Sequence, residues 1–308
     1  MKKLVCSLVI ITLGVFASDR FGGEVMQFVN NNTHDVLAPK LKYVKDSIHE
    51  DVVIMGASRC HHHYIPNIIA DTLGMTVYNA GVGGAENIYS HYIVLSHILE
   101  RYTPKVICLE VMPTDYNHQD DPFSVISFFT PLFGKSERAD SIYRLAGVYW
   151  RYKASHLYRY NAKASSNLWG LMINRQKKNN NGYIPLPEPG QYPQKIINEE
   201  RSTEIDQQKI EYLHRFVNLC RSNRIKLMFV ISPKFTKVDV SHYNVLKTFA
   251  QENRIPFLDY HTMGLYLDHP EYFKDTGHLW DKGAKLYSSV FARDFKRVLN
   301  NEIYSISY

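Results

Sequence analysis

Residues 51–59 read Asp-Val-Val-Ile-Met-Gly-Ala-Ser-Arg, a short apolar run that stops at a glycine and is followed by a serine. A helical-looking stretch over 60–73 comes next, and Thr76-Val-Tyr-Asn79 then runs up to Ala80-Gly81. Apolar run, helix, apolar run is the pattern of a β-α-β unit. It continues through 85–101, where Ile88, Tyr92, Leu95, Ile98 and Leu99 recur on one helical face, and into a third apolar run over 105–111 that Pro113 terminates. Strands alternating with helices pair in parallel and are covered on both faces, because right-handed crossovers leave no other economical packing. The expected fold class is α/β around a central parallel sheet.

Between 117 and 204 the alternation lapses, and the chain becomes rich in Tyr, Trp, Phe, Asn and Pro. This stretch reads as an insertion, mainly helical over 143–160 and loop over 177–194. Its aromatics suit ordinary packing of a helical subdomain better than a sugar platform. The α/β pattern resumes with a helix over 203–222, a strand over 225–231, a helix over 240–253, a short strand over 256–259 and a closing helix over 281–299. One domain over 51–308, interrupted by the insertion, follows a lead-in over 18–50.

The N-terminus has the charged-then-apolar layout of an export signal: Lys2-Lys3, an apolar run over 4–16, then Ala17-Ser-Asp-Arg20. Residues 1–17 are therefore a signal peptide or a retained anchor. Asp19 and Arg20 cut the apolar run short of the ~20 residues a spanning helix wants. Either reading places the body outside the cytoplasm, with membrane association through the N-terminus. The formal charge of +6 comes from 36 basic and 30 acidic residues, with short basic clusters only at Lys2-Lys3 and Arg175-Gln-Lys177-Lys178. No basic stripe of a nucleic-acid binder is present, which excludes that class. Four cysteines without paired spacing indicate neither a disulfide framework nor a zinc site. The sequence sets no oligomeric state.

Functional residues in an open parallel sheet collect at the carboxyl ends of the strands. Ser58 lies there, where the first strand meets its helix. Alone, it reads equally as a helix N-cap. Asn79-Ala-Gly-Val-Gly-Gly84 after the second strand allows close approach of a backbone N–H to the same point. That run resembles half of a dinucleotide fingerprint, but its spacing and its place after the second strand discount NAD. Asp275-Thr-Gly-His278 supplies the third piece. Two intervening residues let the aspartate reach Nδ1–H of its histidine, leaving Nε2 free to take a serine proton. A serine hydroxyl needs such a base to act as nucleophile at neutral pH.

These three pieces, with Leu279-Trp-Asp-Lys-Gly-Ala284 after His278, resemble the first, second and fifth blocks of the SGNH/GDSL hydrolases, over residues 50–300 less the insertion. The resemblance implies a flavodoxin-like three-layer α/β/α SGNH fold and a serine esterase or O-acyltransferase that works through an acyl-enzyme. It assigns Ser58 as nucleophile, His278 as base, Asp275 as its orienting partner, and the Ser58 and Gly84 amides as oxyanion donors. It implies no cofactor. The sequence departs from the family at the third block, where Glu110-Val-Met-Pro-Thr114-Asp115 carries threonine in place of the donor asparagine; Thr114 or nearby Asn117 is the substitute. The stretch Ser58-Arg-Cys-His-His-His63 and the Pro-x-Asp after strand three are similar to exported members of the family, such as teichoic-acid D-alanyl transfer and alginate acetyltransferase-like proteins. That likeness implies an acyl-ester or glycan substrate, acetylated cell-envelope polysaccharide among them.

Arg59, His62 and Asp115 are the candidate substrate-binding residues, and Arg59 suits an ion pair within the fold equally well. His61 to His63 do not form a metal site, because consecutive helical residues point about 100° apart. The competing reading from a different class is a catalytically weak envelope protein that uses the fold to bind polymer.

Overall fold

The computed structural model describes every residue except 34–35, 163, 173–179, 188–192, 194–196, 199–203, 238–240 and 308. The first helices are α1 (Lys2–Asn32) and α2 (Leu37–Asp46), followed by β1 (Val52–Met55), α3 (Ser58–His63), α4 (Pro66–Leu73), β2 (Val77–Asn79), α5 (Ile88–Ile98) and β3 (Val106–Glu110). Three short helices follow, α6 (Glu137–Leu145), α7 (Tyr149–Ala154) and α8 (Ala164–Met172), then β4 (Ile197–Asn198). The remainder comprises α9 (Gln207–Ser222), β5 (Lys226–Ile231), β6 (Thr236–Lys237), α10 (Ser241–Glu252), β7 (Phe257–Asp259), α11 (Gly264–Leu267), α12 (Asp281–Leu299) and β8 (Ser305–Ser307).

The chain divides into two compact units, one of residues 48–122 and 178–308, the other of 1–47 and 123–177. In the larger unit a six-stranded sheet runs in the order β2-β1-β3-β5-β7-β8, and every pairing is parallel. Register is set by pairs such as Val52 with Val77, Val53 with Ile107 and Leu109 with Phe229. Alternation sends Val52, Ile54, Cys108, Met228, Val230 and Leu258 to one face, where Tyr64, Ile69, Tyr287, Phe291 and Phe295 of the α3, α4 and α12 region pack on them. Val53, Met55, Ile107, Leu109 and Phe229, the alternate set, are also buried, and α5 packs against α9. Both faces are thus covered, as an all-parallel sheet requires, and the architecture is the expected α/β/α.

Two features depart from the sequence reading. The helix expected over 60–73 is two helices, because Pro66 disfavours helical geometry at Ile65, which is extended (φ −94°, ψ 106°). A sixth strand, β8, extends the sheet beside β7, in a C-terminal stretch too polar to announce itself. The apolar run stops at Asp19-Arg20 as the sequence reads, while the helix that carries it, α1, continues to Asn32. The expected loop over 177–194 lies partly outside the described residues, as does the basic cluster at 175–178.

In the smaller unit, Leu41 and Val44 of α2 are buried, as are Phe129, Leu132, Ile142 and Tyr143, and residues 126–132 pack on α2. Asp19 lies on the packed part of α1 and accepts the backbone N–H groups of His156 (2.8 Å) and Leu157 (3.3 Å) as well as the Ser155 hydroxyl. A carboxylate that fills three such contacts explains why charge at this position is compatible with the helix. The half of α1 before Asp19, by contrast, is exposed, and the helix as a whole, Lys2–Asn32, is long and apolar enough to cross a membrane by length and composition.

Candidate active site

The strand order turns about between β1 and β3, so the carboxyl ends of those two strands flank the crevice where an open α/β sheet places its ligands. Gly56 closes β1 there with φ of +154°; a side chain would fall 2.8 Å from Cys60 Cβ and 2.9 Å from Glu110 Cβ, so the strand-to-helix turn admits only glycine. Ser58 begins α3 directly after this turn.

His278 arrives from the loop before α12. Its Nε2 lies 2.8 Å from Ser58 Oγ, and its Nδ1 lies 2.9 and 3.0 Å from the two carboxylate oxygens of Asp275. Asp275 Oδ1 also accepts the backbone N–H groups of Gly277 and His278, which folds the loop so that the carboxylate faces the ring. Partial burial by itself raises the Asp275 carboxyl. The His278 hydrogen bond and charge, together with the two backbone donors, outweigh it and hold the group down at about 2. Asp275 is therefore ionised across the working range, Nδ1 carries the proton toward it, and Nε2 is left as the acceptor facing Ser58.

A buried chain behind this array holds the backbone of the loop that carries His278. Leu279 N–H, next to His278, donates to His63 Nε2 at 3.0 Å. A backbone N–H only donates, so Nε2 is unprotonated and Nδ1–H donates onward to Ser232 Oγ at 2.8 Å. The Ser232 hydroxyl then donates to Glu110 Oε1 at 2.6 Å, which also takes Ser232 N–H at 3.2 Å. Arg59 Nε completes the chain 3.2 Å from the same oxygen, with both charged side chains buried. Burial first, then the charges of His278, Arg59 and His62, push His63 well below its ordinary range, consistent with a neutral ring in this role.

The remaining sequence candidates fall into distinct places. Arg59 is an internal ion-pair partner, with Nη contacts to the carbonyls of Ser232 and Val111 at 3.5 and 3.4 Å, so the structure replaces its substrate-binding role with a structural one. Asp115 is likewise corrected: it is fully buried, accepts Met112 N–H at 2.7 Å and lies 3.3 Å from His91 Nε2. His62 lies beside His278, its ring edge-on at 5.7 Å and its Nδ1 2.7 Å from Ile184 O. Gly84 is exposed in the turn after β2 with φ of +81°. Thr114 and Asn117 sit buried after β3, and their carbonyls accept Lys209 Nζ. The Thr114 hydroxyl has no hydrogen-bond partner among the described residues.

Sequence reasoning missed His63, Ser232, Glu110 and Asn79. Asn79 spans β2 and α3, donating to the carbonyls of Cys60 (2.6 Å) and Tyr64 (2.9 Å) while accepting Gly81 N–H at 3.0 Å. Among the described residues, no group of three or more His, Cys, Asp or Glu side chains has the arrangement of a metal site.

A parallel α/β sheet with a Ser-His-Asp array at its carboxyl edge is the setting in which the comparisons with known proteins stand. No protein-family model matches the chain, and no curated protein matches it. Among solved structures it is similar to a candidate acylhydrolase from Bacteroides fragilis NCTC 9343, at 14% identity over 83% of this chain and 89% of that one, with a TM-score of 0.38. It is also similar to a candidate lipolytic protein of the G-D-S-L family from Desulfitobacterium hafniense DCB-2 (13% identity, 79% of this chain, 98% of that one, TM-score 0.39). A GDSL-like lipase from Bacteroides thetaiotaomicron VPI-5482 is a third (11%, 85%, 91% and 0.37). Likeness of that degree assigns neither activity nor family to this chain.

Proposed function

We propose that this chain is an extracytoplasmic serine esterase or O-acyltransferase, held to a membrane by α1, that cleaves acyl esters through an acyl-enzyme on Ser58. The observation that carries the reading is the continuous contact from Ser58 Oγ through His278 to the Asp275 carboxylate, with the separations given above.

His278 Nε2 takes the Ser58 proton as Oγ attacks the ester carbonyl, and Asp275 stabilises the imidazolium that forms. The backbone N–H groups of Ser58 and Gly84 are the oxyanion donors, with the unpartnered Thr114 hydroxyl as a third in place of the family's asparagine. Collapse of the tetrahedral intermediate expels the alcohol, which receives the proton from His278. Water or a sugar hydroxyl then attacks the acyl-enzyme by the same route in reverse. His62, edge-on to His278, lines the approach. Acylated cell-envelope glycan is the substrate class that the sequence resemblance favours.

A fluorophosphonate reagent tests the nucleophile directly. The native chain is expected to label at Ser58 and the Ser58→Ala variant not at all. Well-folded native protein that resists labelling would favour the polymer-binding alternative.

A further inference from the structure

The excess positive charge of this chain is confined to one region. Residues 141–187 hold eight Lys or Arg and no Asp or Glu, whereas the rest of the chain holds 28 basic and 30 acidic residues. The charge of +6 is thus owed entirely to a stretch most of which belongs to the smaller unit. The same unit carries large exposed apolar side chains clustered on neighbouring helices. On α1 the residues turned into the unit are Gly23, Met26, Val29 and Asn30. Phe21, Val25 and Phe28, spaced i, i+4, i+7 on the opposite side, are exposed. Against α1 packs α8, whose Leu168, Trp169, Leu171 and Met172 are all exposed, Trp169 at 65% and Met172 at 77%. A recess of about 380 Å³ lies beside the two, lined by Met26, Leu157, Tyr158, Tyr160 and Ala164 among others.

An amphipathic face with tryptophan among its exposed apolar residues, in a unit whose sequence carries the basic excess and with a candidate membrane span running into it, has the composition of a bilayer interface. We propose that the face formed by the second half of α1 and by α8, centred on Trp169, lies in the headgroup layer of a bilayer containing anionic lipid. This rests on the reading of α1 as membrane-embedded. The smaller unit is then a second attachment that holds the protein against the membrane surface, where α1 alone would leave it tethered.

Full-length Trp150→Phe protein in phosphatidylcholine–phosphatidylglycerol vesicles, with acyl chains brominated near the headgroup, retains Trp169 and the buried Trp280 of the larger unit as its emitters. The expected result is quenching of Trp169, identified as the quenched signal that disappears in Trp150→Phe/Trp169→Phe protein, and weaker quenching when phosphatidylglycerol is omitted. Carbonate extraction of the same vesicles reports separately on α1. Protein that resists extraction while Trp169 stays unquenched leaves the anchor standing and overturns the proposal. Protein that is extracted yet was quenched at neutral pH supports the face without the anchor. Self-cross-linking of a Trp169→Cys variant within vesicles, with no quenching of Trp169, identifies a second copy as the occupant and likewise overturns it.

Discussion

Replacing His63 with phenylalanine keeps the ring's bulk and removes two hydrogen bonds, the one it accepts from Leu279 N–H at 3.0 Å and the one it donates to Ser232 Oγ at 2.8 Å. Ser232 retains its bond to Glu110, so the group left wanting is Leu279 N–H. A buried donor without a partner costs about 1–3 kcal/mol, and a ring-for-ring exchange adds little cavity term. The variant is therefore expected to lose about 1–3 kcal/mol at neutral pH in urea denaturation, with an unchanged m-value. Acid should narrow the gap. Folded His63 is held neutral well below its ordinary range, while the unfolded ring takes a proton near pH 6.5. The unfolded state thus binds more protons as pH falls, and native stability drops below about pH 6.5 by up to about 1.4 kcal/mol per unit until the folded ring titrates. The phenylalanine variant lacks that loss. In catalysis, freeing Leu279 releases the backbone beside His278, and a displacement of order 1 Å costs up to about 100-fold. His63 is fully buried, so p-nitrophenyl acetate hydrolysis should fall in kcat with KM unchanged. His63→Gln, which restores an acceptor for Leu279 N–H, should recover much of the rate. Wild-type kcat in His63→Phe, with a stability gap equal at pH 5 and pH 7.5, would refute this reasoning.

Asp275→Asn preserves the loop's shape but removes the charge that sets the His278 tautomer, and kcat is expected to fall by up to about 10⁴-fold, measured by ester hydrolysis and by the rate of fluorophosphonate labelling. Glu110→Gln leaves buried Arg59 without its counter-charge and should cost about 3–5 kcal/mol, whereas Glu110→Leu, which also removes the acceptor of the Ser232 hydroxyl and N–H, should cost more; thermal denaturation of both separates the outcomes. Gly182→Ala places a Cβ 2.0 Å from Asn79 O at φ of +86°, so it should displace the segment around Ile184. Faster proteolysis within 180–187 and lower activity would register that displacement, and unchanged values on both counts would contradict it.

What was legible in the sequence is what depends on short-range pattern. β1, β2 and β3 announce themselves as apolar runs ended by Gly56, Ala80-Gly81 and Pro113. Asp275 and His278 declare their partnership through a spacing of three, which the loop's own hydrogen bonds enforce. The partners of Arg59 and Asp115 were illegible, because they depend on residues 51 and 24 positions away. The role of His63 depends on Ser232 and Leu279, more distant still. β8 was missed for a related reason: Ser305–Ser307 has little apolar character and is a strand through its pairing with β7.

The histidine triplet shows how such long-range contacts create a site. A helix of six residues has no stability of its own, since nucleation is costly and few bonds follow it, yet α3 must hold Ser58 Oγ within hydrogen-bond reach of a base 220 residues away. Consecutive side chains leave a helix about 100° apart, the geometry that rules out one shared metal, and here it sends three rings in three directions. His61 Nδ1 lies 3.1 Å from Gly81 O in the turn after β2, His62 Nδ1 is held by Ile184 O, and His63 Nδ1 meets Ser232 after β5. Each ring ties α3 to a different segment of the larger unit. The same residues that read as polar decoration on a first turn are thereby the clamps that set where the serine points. Loss of any one should lower kcat before it abolishes folding.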